Sequence, residues 1–319
     1  MSVLLAVVLL VAGAALLTAG AEGFAENVTG ASSRLGVSVL ALGVLLAGAE
    51  PEEAITAMLA SGQGHPALAA GDAIGANLVI LTLTLGLAAL VTPLRVGRRG
   101  LEYGLGAAVL GALAWLLLLD GVLGRVEGLL LVASYAAGVV WVWRREQAPP
   151  LIGEMAELEE KEQRAGPDRD EATGRALLLV LLGVLGMVLG GALAVRGAEG
   201  LVGVLGVGES AVGLTVLALA TSAEMVALVW AARRRGLTEL VVAGTVGAVA
   251  YNATVSIGLA ALVSPLGLGR HNPILTVAAA TAVLPLVLLT SLRTGLLPRT
   301  VGALLVAAYL VALWLLLAG

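Results

Sequence analysis

The chain has 319 residues, a mean hydropathy of +1.02, 59% hydrophobic residues and only 13% charged residues. A soluble protein of this size needs far more polar surface, so the composition points to an integral membrane protein with little mass outside the bilayer. With no Cys there is no disulfide or thiol chemistry, and 18 basic against 22 acidic residues leave no basic patch for nucleic acid.

A spanning helix needs about 20 apolar residues. Ten such stretches are predicted in chain order, at 2–28, 36–61, 67–92, 101–119, 124–143, 175–197, 208–232, 238–263, 273–292 and 299–318. Residues 2–20 read as the first span rather than a signal peptide, because they lack a basic leading segment and the apolar run continues. The 43 Gly residues and the low aromatic content suit closely packed transmembrane helices.

Ten spans with the N-terminus outside put Arg34, Arg95, Arg98, Arg99, Arg144, Arg145, Lys161, Arg164, Arg169, Arg175, Arg233, Arg234, Arg235, Arg293 and Arg299 on inside connections. Only Arg125, Arg196 and Arg270 remain elsewhere. This asymmetry predicts an inner-membrane protein whose termini are both extracytoplasmic. Residues 144–174 form one sizeable cytoplasmic loop, acidic from Glu154 to Glu171, which reads as a solvated linker.

The loop divides the chain into a first five-helix repeat (1–143) and a second (175–319). AGAEG at 19–23 recurs as RGAEG at 196–200, and GLAALVTPL at 86–94 recurs as GLAALVSPL at 258–266. Gly36 and Gly43 correspond to Gly206 and Gly213. Five spans per half is odd, so the halves enter the membrane from opposite sides. The expected fold is an all-α membrane protein of two inverted-topology repeats, with broken helices at the midplane. Glu22 and Glu199 occupy matching places in the first and sixth spans, where they suit an access path or helix docking.

The intramembrane polar residues cluster in four spans. In the second, Glu50, Glu52 and Glu53 flank Pro51, which interrupts the helix. A broken helix frees backbone carbonyls toward a cavity. Three carboxylates this close cannot all ionise cheaply, so at least one is expected to have a raised pKa. The third span carries Asp72 and Asn77; Asp72 reads equally as a helix cap or a ligand. The seventh carries Thr221, Ser222 and Glu224, and the eighth Asn252, followed by Thr254 and Ser256. A charge near the bilayer centre costs roughly 2.5–3.5 kcal/mol on insertion scales, so such acids are expected to serve function. Oxygen ligands without Cys suit hard cations: Ca²⁺, Na⁺, or H⁺ carried on a carboxylate.

These segments resemble the calcium/cation antiporter superfamily, which includes sodium/calcium and calcium/proton exchangers. The matching stretches are GAEPEE (48–53) and GDAIGANLVI (71–80) in the first half, and ATSAE (220–224) and AGTVGAVAYN (243–252) in the second. The resemblance covers essentially the whole chain. It implies ten helices, ions bound between spans two, three, seven and eight, and spans one and six sliding to alternate access. It also implies a central glutamate pair of Glu224 with Glu53 on the sodium-branch spacing, or with Glu52 on the proton-branch spacing. Asn252 and Asn77 match polar positions of the pattern. The chain departs from it at Ile80 and Val249, where the pattern has Asn, and at Ala49 and Glu50, where it has Thr-Ser.

The expected function is antiport of Ca²⁺ against Na⁺ or H⁺, with inorganic cations and the lipid bilayer as partners and no resident cofactor. A monovalent cation/proton antiporter is the alternative. An intramembrane enzyme lacks the nucleophile or metal constellation it would need, so no catalytic residue is assigned.

Overall fold

A computed structural model describes residues 1–35, 50–146, 173–223, 225 and 238–318. Among these residues the chain is almost entirely helical. We number the helices α1 (Val3–Leu35), α2 (Pro51–Gly62), α3 (Pro66–Val91), α4 (Arg98–Leu118), α5 (Arg125–Glu146), α6 (Thr173–Leu205), α7 (Glu209–Thr221), α8 (Thr238–Tyr251 and onward), α9 (Pro273–Ser291) and α10 (Arg299–Ala318). Helix α8 continues through a π-helical turn at Asn252–Ser256 and ends with Ile257–Val263.

Eight of these helices are long and apolar enough to cross a membrane. The two further spans expected at 36–61 and 208–232 fall partly outside the described residues. Their described parts, α2 and α7, are short. Most of the acidic loop, 147–172, and Glu224 also lie outside the described residues. Helices α1 and α6 are each 33 residues long, more than the spans expected there.

Two local features recur in both halves of the chain. Helix α3 contains a π-helical turn at Val79–Thr84, just before GLAALV, and α8 has its own just before the second GLAALV. A π turn inserts an extra residue and loosens the ladder, a deformation frequent at functional sites. Arg299, starting α10, donates to the Val91 carbonyl ending α3 at 3.0 Å. Arg125, starting α5, does the same for the Leu262 carbonyl ending the second run of α8 at 3.2 Å. Both satisfy carbonyls that a helix end leaves without partners.

Glycines mark where the helices cross. A Cβ on Gly302 would lie 2.6 Å from the Leu90 amide, and one on Gly258 would lie 2.8 Å from the Gly128 carbonyl. Helices α3 and α7 cross at Gly71, Gly75 and Gly213 in the same manner. Only side chains this small let backbones approach so closely.

Two short antiparallel pairs join the interhelical connections. Strand β1 (Leu94–Arg95) pairs with β4 (Leu296–Leu297), and β2 (Val122–Leu123) pairs with β3 (Leu266–Gly267). The connections bearing Arg95, Arg98 and Arg99 therefore lie with those bearing Arg293 and Arg299. The connections bearing Arg125 and Arg270 lie together as a separate group.

Helices α1 and α6 form an antiparallel pair. Gly13 meets Gly190 and Ala194, Gly20 meets Gly183 and Met187, and Gly197 meets Ala6 and Leu10. Ala6, Gly13 and Gly20 stand seven apart on one helix, and Gly183, Gly190 and Gly197 on the other. That spacing keeps the small residues on one seam.

Candidate functional site

The polar residues converge where α2 begins, α7 is interrupted and α3 and α8 pass through the core. Helix α2 starts at Pro51, as the proline requires, with Glu50 in a non-helical conformation before it. Glu52 and Glu53 fall in its first turn, where unpaired backbone N–H groups and the helix dipole favour negative charge. On the other side of the site, α7 is interrupted after Thr221 at Ser222, ψ 5, and Ala223 and Met225 are helical again. A helix start and a helix break thus meet inside the protein.

Glu50, Glu52, Glu53 and Asp72 are all buried, the last two completely. Residues from the other half reach each of the three that are hydrogen-bonded across the interface. Ser222 Oγ donates to Glu53 Oε1 at 3.1 Å. Thr221 Oγ1 lies 3.1 Å from Asp72 Oδ1 and 3.2 Å from its own helix carbonyls at Leu217 and Ala218. Asn252 Nδ2 donates to Glu50 Oε2 at 2.6 Å, and Ser256 Oγ donates to Asn252 Oδ1 at 3.0 Å. Asn77 Nδ2 donates to the Val249 carbonyl at 3.1 Å. Val249 is the position equivalent to Asn77 in the second repeat, so this bond crosses the seam between the halves.

One oxygen on each of several groups has no partner. Glu52 Oε2, Glu53 Oε2, Asp72 Oδ2 and Asn77 Oδ1 are buried without a hydrogen bond. Among the described residues, Glu52, Glu53 and Asp72 form no ion pair either. Glu53 lies close to Asp72, Glu50 and Glu52. Buried polar atoms are normally satisfied. Among the described residues these acceptors have no ion-pair partner, and no group of three or more His, Asp or Glu side chains there is arranged as a ready-made metal site.

Asp72 sits in the middle of α3 and not at a helix end, so capping does not explain it. Ile80 and Val249, at positions where the antiporter pattern carries Asn, are buried apolar residues. Two aromatic neighbours escaped the sequence reading. Tyr135 on α5 packs edge-on against Tyr251 on α8, ring centroids 5.6 Å apart, and Tyr135 is near enough to Glu50 to feel its charge. No local signal in the sequence links these residues, because each comes from a different helix. Glu22, expected to match Glu199 in role, is exposed, whereas Glu199 contacts His65.

The family model described as sodium/calcium exchanger protein matches residues 2–144 and 175–318. Among curated proteins, the chain is 28% identical to inner membrane protein YrbG of Escherichia coli (strain K12), over 85% of this chain and 83% of that one. It is 27% identical to the putative antiporter CaxA of Alkalimonas amylolytica, over 93% of this chain and 91% of that one. Among solved structures, the sodium-calcium exchanger NCX_Mj soaked with Na⁺ and Sr²⁺ superposes with a TM-score of 0.61 at 22% identity, covering 98% of each chain. That likeness establishes the fold. The breadth of the family match, across both halves and on either side of the loop, shows a multi-pass membrane cation antiporter and not an enzyme: the chain belongs to the sodium/calcium exchanger family.

Proposed function

We propose that this protein exchanges Ca²⁺ for Na⁺ or H⁺ by alternating access. Its ten helices would form two inverted-topology repeats, with the Arg-rich connections cytoplasmic and both termini outside. The repeated Arg299 and Arg125 contacts, the matched π turns and the two strand pairs support this arrangement. The cation would sit among Glu50, Glu52, Glu53, Asp72, Asn77, Thr221, Ser222 and Asn252, with Glu224 joining them by position.

The observation that carries the reading is the set of unpartnered, buried carboxylate oxygens on Glu52, Glu53 and Asp72. Uncompensated buried charge is strongly unfavourable, and a bound cation removes that cost. Glu53 is the better first-half ligand, because it is fully buried and held by Ser222 from the other half. Glu52 lies beside it at the helix start.

Charge counting sets the coupling. One divalent ion balances two carboxylates, and the remaining ones need protons or Na⁺. Arrival of those monovalent ions at the two Ca²⁺ ligands would release the divalent ion. The apolar Ile80 and Val249 remove neutral oxygens that a Na⁺ site would use, which favours H⁺ as the coupling ion.

The test is radioactive Ca²⁺ uptake into proteoliposomes under an outward Na⁺ gradient or a proton gradient at matched potential. Uptake with the proton gradient alone supports H⁺ coupling, and uptake with Na⁺ alone supports Na⁺ coupling. No Ca²⁺ uptake, together with Na⁺-dependent proton flux, would replace this reading with a monovalent cation/proton antiporter.

A further inference from the structure

A second cluster of ionisable side chains lies away from the central site, at the turn between α2 and α3. Gly64 takes φ +88 there, and His65 follows as the residue preceding Pro66. The backbone of His65 is fixed: its amide donates to the Ala60 carbonyl at 2.9 Å, and its carbonyl accepts from Ala69 at 3.0 Å. The imidazole is held at both nitrogens. Nε2 lies 2.8 Å from Glu199 Oε1 on α6, and Nδ1 lies 2.8 Å from Glu209 Oε1 at the start of α7.

A neutral imidazole carries one N–H, so it can donate to only one of two ionised carboxylates. The second nitrogen would then present a lone pair to another acceptor. Both contacts are favourable only when the cluster of His65, Glu199 and Glu209 holds one further proton. The two nitrogens point in opposite directions, so one metal ion could not replace that proton at both contacts.

We propose that His65, Glu199 and Glu209 form a proton-operated clasp that fastens the end of α6 to the α2–α3 turn. With the extra proton present, both contacts close. When it leaves, one carboxylate is released, and that end of α6 is freed from the turn. The position suits this role. Helix α6 is only 33% buried over its apolar window, against 78% for α3 and α8, and its long seam is with the equally peripheral α1. A short link containing Gly206 at φ +69 joins it to α7. Helix α7 keeps a separate tether, since Asn272 Nδ2 donates to Ser210 Oγ at 2.9 Å. Losing the clasp would therefore release α6 more than α7.

Other charged groups at this end come from every neighbouring segment. Helix α6 adds Arg196, and α1 adds the Met1 amino group, whose side chain lies against Gly200. The turn before α9 adds Arg270 and His271, both exposed. Among the described residues, Glu199 and Glu209 are the ionisable groups in ion-pair contact with the His65 ring. Slower exchange with the clasp closed rests on the antiport reading above; the clasp itself does not.

The chain has no Cys, so a single Val195→Cys substitution gives a clean reporter on α6, where Val195 is fully buried. Purified full-length protein would be labelled with a maleimide across about pH 5 to 8, the range in which imidazole ordinarily changes charge. After correction for thiol ionisation using unfolded protein, labelling should accelerate about tenfold with rising pH, corresponding to roughly 1.4 kcal/mol of lost contact. His65→Gln should flatten that response at the fast, alkaline level, and Glu199→Gln at the slow one, because its carboxamide donates to the imidazole lone pair without the further proton. Proteoliposome exchange measured alongside at low pH should be faster in His65→Gln than in the parent, because the clasp is then absent. A flat parent profile, or an unchanged profile in either folded variant, would overturn the clasp. Absence of exchange with an intact labelling response would instead refute the antiport reading and leave the clasp standing.

Discussion

The core helices α3 and α8 and the peripheral pair α1 and α6 are built from the same small, apolar residues to opposite ends. Over their apolar windows α3 and α8 are 78% buried, whereas α1 and α6 are 28% and 33% buried. The core pair carries Asp72, Asn77 and Asn252, bends through π turns and is cross-linked by hydrogen bonds between the halves. The peripheral pair meets through a seam of Gly and Ala. Directional polar bonds fix one geometry, while a seam of small residues presents a smooth surface with no bond to break when it shifts. On the proposed function, ion binding would fall to the enclosed, polar helices and movement to the exposed, apolar ones.

The largest expected effect comes from the core. Glu53→Ala or Asp72→Ala should lower cation exchange by about tenfold to a hundredfold, the loss that follows from removing a charged ligand interaction of roughly 1.5–3 kcal/mol. The same changes should leave thermal unfolding unchanged or raise its midpoint, because each removes a buried oxygen that lacks a partner. Exchange at the wild-type rate in either variant would reduce the cluster to a structural feature.

The peripheral pair should respond the other way, through stability first. A Cβ at Gly190 would lie 2.6 Å from the Leu17 amide, a contact with rigid backbone. Gly190→Leu should destabilise the protein by about 1–3 kcal/mol, as overpacking does, and thermal unfolding in detergent would register it. Gly203 has open space in the Cβ direction, so Gly203→Ala should be close to neutral in the same assay. Equal effects at both positions would remove the seam from the account.

A smaller change sharpens the core itself. Thr221→Val deletes the hydroxyl near Asp72 and preserves the side-chain shape. Cation affinity should change by a few fold, in keeping with about 1 kcal/mol for one hydrogen bond. Because that hydroxyl also lies near the Leu217 and Ala218 carbonyls, the effect should be smaller than that of Ser222→Ala on Glu53. A saturation curve for each variant separates the two.

Much of this was legible from the sequence because the signals were local or repeated. Pro51 marks the start of α2, and the two GLAALV copies mark equivalent helix ends. The break after Thr221 was not legible, because no proline or glycine stands there; Ser222 interrupts the helix in its tertiary setting. The two readings of Asp72 could not be separated until its place within α3 was known. Pairings such as Asn252 with Glu50, Tyr135 with Tyr251, and His65 with Glu199 join residues from distant helices, and no spacing rule connects them.

The proposed function stands on the buried carboxylates as the cation site. Equilibrium binding of radioactive Ca²⁺ to purified protein, compared with folded Glu53→Gln, tests it most directly. Saturable binding to the wild type should be lost or weakened at least about tenfold in the variant, since one charge-assisted ligand contact is worth roughly 1.5–3 kcal/mol. Ca²⁺ binding of unchanged affinity and stoichiometry in Glu53→Gln would contradict it.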